Sequence, residues 1–146
     1  MLMKGKSGFT EIKEFFEIYQ TSAWNKDIMA MINLYDEQVI VFDMWDRGYE
    51  LNALAWFKII EDWLGSLNEE NVKVEFEMVQ IHQSDKIGFA SALIQFQAIS
   101  DNGAILRSMK NRITLGFSKF DYGWKVIHQH TSAPVSSDRL TAILDI

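Results

Sequence analysis

The feature that most constrains this chain is a change of period after Asn71. Up to that point apolar residues recur at helical spacing; beyond it they alternate. Val72, Val74, Phe76 and Met78 are interleaved with Lys73, Glu75 and Glu77, the pattern of a strand with one covered face. Ile87 to Ile99, Ile105 to Phe120 and Trp124 to Ser132 read as further strands. The separators are Gln83-Ser84-Asp85, Asp101-Asn102-Gly103 and Asp121-Tyr122-Gly123, with Asp-Asn-Gly the clearest turn signal. Tight turns of this kind join antiparallel strands only, so the second half of the chain is a meander. Gly116 marks a candidate bulge in its longest strand.

The first half must supply what covers that sheet. Thr10 is a candidate N-cap, followed by Glu11 and Glu14 at the positive end of a helix. Ile12, Phe15, Phe16 and Tyr19 share one helical face. A break over Ser22 to Lys26 leads to a second short helix, begun by Asp27 and carrying the stripe Ile28, Met31, Ile32 and Tyr35. Asp36-Glu37-Gln38 then turns the chain into a β-branched strand, Val39 to Phe42, ending at Asp43. Leu51 to Leu64 reads as a third, largely buried helix, with Gly65 at its C′ position. Three helices laid on one face of a strongly curved sheet is an α+β cone, with room for a pocket inside.

Composition narrows the function classes. A net charge of −6 argues against a nucleic-acid partner and against an anionic membrane surface. The absence of cysteine excludes thiol catalysis and Cys-ligated metals. No run approaches the roughly 20 apolar residues of a membrane span, and residues 1–8 lack the apolar stretch of a signal peptide; the expectation is a cytoplasmic protein. Aromatic residues make up 13% of the chain, which points to a heavy core or a ring-lined cavity.

Two segments carry a family resemblance. Asp27 to Tyr35 followed by Val39 to Asp43 resembles the second helix and first strand of the nuclear transport factor 2-like superfamily, which includes ketosteroid isomerase. The ending Trp124-Lys125-Val126-Ile127-His128-Gln129-His130-Thr131-Ser132 resembles the W-x-x-x-H-x-H-x-S strand of its SnoaL-like branch. The resemblance spans roughly Phe9 to Pro134 and implies the cystatin-like cone. A single domain over residues 1–146 follows, with 1–8 and 136–146 as peripheral tails. It further implies a small apolar or aromatic ligand, no cofactor and no metal, and proton transfer of the isomerase, cyclase or dehydratase type. A non-catalytic ligand-binding or dimerisation module is the alternative.

By that resemblance Asp43 falls where ketosteroid isomerase has its base, and Tyr19 where it has its oxyanion donor. The position of the second, protonated acid falls on Gly116. Each residue has a plainer reading too. Asp43 follows four apolar residues, so burial could raise its pKa, or it could simply order a loop. Tyr19 could be a core residue with its hydroxyl satisfied. His128 and His130 are two apart and leave one face of the last strand with Trp124 and Val126. They could be pocket acids or donors, structural residues, or metal ligands with Asp43; His130 joins Asp43 and Tyr19 as the third catalytic candidate. Arg112 could bind a carboxylate or enolate, neutralise an acid, or face solvent. Trp24, Trp45, Trp56 and Trp63 could line a planar apolar ligand or belong to the core. Phe89, Leu93, Leu115 and Phe117 are expected on the outer face of the sheet, covered by a second copy in a homodimer.

Overall fold

The computed structural model describes residues 6–146; of the segment 1–8, residues 1–5 lie outside the described residues. Three helices, α1 (Glu14–Asn25), α2 (Ile28–Ile32) and α3 (Ala53–Gly65), pack against one six-stranded sheet. Its strands are β1 (Tyr35–Phe42), β2 (Tyr49–Glu50), β3 (Asn71–Gln83), β4 (Ile87–Ile99), β5 (Ile105–Phe120) and β6 (Gly123–Ser132), in the order β2-β1-β6-β5-β4-β3. The meander β3 to β6 is antiparallel as the turns require, and β1 joins it by pairing parallel to β6. Among the described residues no helix is long and apolar enough to cross a membrane.

Period 2 sets the two faces. Ala90, Leu115, Gln129 and Val41 lie in register across β4, β5, β6 and β1 and face the helices, as do Ala92, Ile113 and Thr131 in the next row. The apolar members of these rows join Phe15, Phe16, Tyr19, Ile32, Trp56, Ile60 and Leu64 in one apolar core. The intervening rows, Phe89–Gly116–His128–Ile40 and Ser91–Thr114–His130–Phe42, form the outer face. Leu115 and Phe117 are therefore inside the cone, fully buried, and only Phe89 and Leu93 of the four residues expected outside belong there. Alternation fixes which residues share a face but not which face is covered; the helices decide that.

Bulges bend the sheet into a cup. The β3–β4 register shifts between Glu77 and Gln80, where Met78 adopts φ 56°, and the β5–β6 register shifts between Gly116 and Phe117. In the second, Ile127 is left without a partner between Val126 and His128.

Several element ends differ from the sequence expectation. α1 begins at Glu14 rather than after Thr10, and its N-cap residue Lys13 makes no side-chain cap. The Glu14 carboxylate instead reaches back to the Glu11 N–H at 2.7 Å. The helix runs through Ser22, which is buried, and stops at Lys26 in the left-handed region. Asp27 does cap α2, accepting from the Ala30 N–H. Asp36 to Gln38 belong to β1, not to a turn before it. α3 starts two residues late, at Ala53, capped by Asn52 and ending one residue past Leu64, so Leu51 and Leu54 are exposed.

Both ends of the described chain dock on the sheet. The Gly8 N–H donates to Tyr122 O, and a Cβ at Gly8 would stand 2.6 Å from Trp124 O, so only glycine fits this crossing. At the other end Val135 bridges Ala142, and Asp145 bridges Lys110 in parallel beside the stretch of β5 that β6 no longer covers.

Candidate functional site

Asp43 continues the inward parity of Val39 and Val41, which are fully buried, so its carboxyl turns toward the helices. Its own N–H donates to Gly48 O, closing the loop that leads to β2. The Thr131 hydroxyl donates to Asp43 Oδ1 at 3.2 Å, and the Met44 N–H donates to that same hydroxyl oxygen at 3.2 Å. Burial pushes the Asp43 pKa above the usual carboxylate value, and the neighbouring charges of Asp46 and Glu50 push the same way. The bonds from Thr131 and Met44 oppose this without cancelling it.

Two phenols face the same interior. Tyr19, on the apolar stripe of α1, packs against Phe15 and Phe76 and is buried. Among the described residues its hydroxyl has no hydrogen-bond partner. Burial raises its pKa far above the ordinary tyrosine value, and the nearby charge of Asp43 raises it further. The group therefore remains a protonated, unengaged donor at any ordinary pH. Tyr35, at the start of β1, is fully buried and donates to Gln129 Oε1 at 2.6 Å. Burial, then Tyr19, drive its pKa up as well. The Trp56 indole N–H lies close enough to bear on the Tyr35 oxygen but meets no acceptor in hydrogen-bond geometry.

Asn111 completes the polar set. It occupies the inward row of β5 below Ile113 and Leu115 and is 2% exposed. Its Nδ2 donates to Met44 Sδ at 2.8 Å, which ties it to the residue after Asp43, while its Oδ1 is buried without any partner. Such an orphan acceptor costs about 1–3 kcal/mol. A half-buried carboxyl of raised pKa, a buried phenol and an unpaired amide oxygen thus stand on the helix-covered side of the sheet among aromatic rings.

The other sequence candidates lie elsewhere. His128 and His130 are on the outer face, their rings against Phe42 at 5.0 and 5.5 Å, and do not share a face with Trp124 and Val126. The cause is Ile127, the extra residue at the bulge, which reverses the parity of everything after it. Their place in the interior is taken by Gln129 and Thr131. Arg112 is also outside, donating to Ser132 Oγ at 3.1 Å. His82 stacks on Phe89 at 5.0 Å, so all three histidines of the sequence lie on the outer face. Among the described residues no three His, Asp or Glu are grouped to hold a metal.

The tryptophans divide as well. Trp56 is buried beside Tyr35, its ring edge-on at 6.1 Å, and Trp63 meets Phe96 edge-on at 5.8 Å as part of the packing around the core. Trp45 is exposed on the loop after Asp43. Trp24 lines a separate open groove of about 540 Å³ with Gln20, Thr21, Asn25, Lys73 and Val74, remote in the fold from Asp43. Sequence reasoning missed Tyr35 as a site residue, and Gln129, Thr131 and Asn111 altogether. A polar residue in the inward row Asn111, Ile113, Leu115, Phe117 was a readable signal; those of β6 were hidden by the bulge.

The chain matches the profile of a SnoaL-like domain over residues 12–136. Its fold is similar to that of an NTF2-like protein of unknown function from Pseudomonas putida, at 21% identity, 92% of each chain and a TM-score of 0.81. Aln2 from a Streptomyces species is similar at 10% identity, covering 84% of this chain and 87% of the other, with a TM-score of 0.73. ActVI-ORFA from Streptomyces coelicolor is similar at 10% identity, covering 83% and 92%, with a TM-score of 0.72. No curated protein matches the chain.

Proposed function

Because the chain belongs to the SnoaL-like domain family, we propose that it holds a small, apolar carbonyl compound between α1, α3 and the concave sheet, and moves a proton next to that carbonyl. Asp43 is the base. Its raised pKa brings the carboxylate closer to the acidity of a carbon acid at neutral pH, which is what proton abstraction without a cofactor needs. Tyr19 donates to the enolate oxygen as charge develops there, with Tyr35 behind it. His130 has no part in this chemistry, since it faces outward. The observation that carries the reading is the Asp43 carboxyl itself: turned inward, lifted by burial, and within electrostatic reach of an unengaged phenol.

The test is proton exchange. A panel of cyclic enones and diketones is incubated with the protein in deuterium oxide, and loss of the α-proton signal is followed by NMR. Wild type should accelerate exchange of at least one member, and Asp43→Asn should lower that rate by about a hundredfold or more. Undiminished exchange in the variant would refute the role.

A dimerisation module remains the second reading, and the outer face favours it. Ile40, Phe42, Ile87 and Phe89 are exposed there, beside His82, His128 and His130. We propose that this face carries a second copy in a homodimer, with or without catalysis inside the cone.

A further inference from the structure

Asn111 is a buried amide that the fold uses at one end only. A buried asparagine that serves the fold pairs both ends of its amide. Here only one end is used: Nδ2 donates to Met44 Sδ, and Oδ1 is left as a buried acceptor without a partner. Its neighbours explain why nothing in the protein answers it. Across the sheet on one side its register partner is Ile94, fully buried. On the other side β6 has ended, at the pair Arg112–Ser132, and the C-terminal segment takes its place. The Lys110 N–H donates to Leu144 O at 2.7 Å and Lys110 pairs with Asp145, so by alternation Leu144 and Ile146 fall on the inward side with Asn111. Ile94 of β4 and the C-terminal segment thus flank an amide oxygen that has no donor.

The same residue is joined to the reacting end of the site. Asn111 touches Met44, the Met44 N–H bonds Thr131, and Thr131 bonds Asp43. An acceptor joined to the base through Met44 and Thr131, on the apolar side of the sheet, is where a second polar group of the bound molecule would come to rest.

We propose that Asn111 Oδ1 accepts a hydrogen bond from the ligand, so that the compound taken by the site bears an O–H or N–H donor in addition to its carbonyl. The inference rests on the interior site proposed above and narrows its ligand class to hydroxy- or amino-substituted carbonyl compounds. The C-terminal segment 133–146 is the strap that seals this end. It is held to β5 at Lys110.

The probes are para-hydroxyacetophenone and its methyl ether, para-methoxyacetophenone, which share ring and carbonyl and differ in the donor. Wild type should bind the hydroxy compound about tenfold more tightly, which is about 1.4 kcal/mol. In Asn111→Leu the two affinities should come within about twofold of each other while the ether binds as before. Should that variant fail to fold, the wild-type protein decides alone: the Asn111 side-chain amide resonances should move with the hydroxy compound and not with the ether. Equal affinities in wild type, a preference that survives in Asn111→Leu, unmoved amide resonances, or no saturable binding of either compound would each overturn the assignment. Asp43→Asn, run in parallel, should keep the hydroxyl preference. Loss of the preference there points away from Asn111, whereas a preference kept without any deuterium exchange in wild type defeats the proton-transfer reading and leaves this one standing.

Discussion

Replacing Tyr35 by Phe removes one oxygen from the best-buried hydrogen bond of the interior. The hydroxyl donates to Gln129 Oε1 at 2.6 Å, Tyr35 is fully buried and Gln129 is 3% exposed, so water cannot substitute for the lost donor. The Gln129 oxygen becomes an orphan, at a cost of about 2 kcal/mol. A chain of this length gains about 0.3 kcal/mol per kelvin in unfolding entropy at its midpoint, so Tm should fall by about 6 °C. Differential scanning calorimetry reads the shift directly. The companion Gln129→Leu on the Tyr35→Phe background removes the stranded acceptor as well, and should recover most of the loss, because an apolar pair of similar shape leaves nothing unpaired. A Tyr35→Phe variant melting within about 1 °C of wild type would show that the hydroxyl is not a structural donor. A double variant as unstable as the single one would show that the loss is one of packing.

Asp43 makes a linked prediction of opposite sign. Its folded-state pKa lies above the unfolded value, so ionisation costs stability; the cost is absent below the ordinary carboxylate range and complete above the raised pKa. Asp43→Asn should therefore be more stable than wild type at neutral pH and equal to it in acid, as denaturant titrations across that range would show; a variant weaker at neutral pH would contradict the burial argument. Light scattering at micromolar concentration should return twice the 16.9 kDa chain mass, and Phe42→Glu, which puts a charge between His128 and His130, should return the single chain. A wild-type monomer would remove the case for a covered outer face.

The strands were the most legible part of the sequence. Alternation and the turn at Asp101-Asn102-Gly103 locate β3 to β6 to within a residue at most ends, and Gly103 takes the positive φ that the turn demands. Helix ends were less so, because Ser22 and Ala23 are kept helical by burial rather than by propensity. At the site, Asp43 and Tyr19 are named by the family resemblance, and the unbroken run of one period around each gives only the face its side chain takes. The histidines could not be placed, since counting by twos from Trp124 fails at the one residue that pairs with nothing. The adjacent apolar pair Val126-Ile127 was the only trace of that slip in the sequence. Tyr35 reads as the end of a helical stripe and is the start of a strand, so its direction was not available from period alone.

The bulge at Ile127 has a consequence for how the strand tolerates changes in length. In a central strand, losing a residue ordinarily turns one end inside out, exchanging the wet face for the dry one. Here the chain is one residue longer than its neighbours need, because β5 passes from Phe117 to Gly116 while β6 passes from Val126 to His128. That residue is slack. Deleting Ile127 would leave Gln129 and Thr131 inside and the two histidines outside, and would take up the slack by straightening β6. What such a deletion alters is the depth of the cup, and with it the size of what the cup can hold, while the list of side chains lining it stays the same.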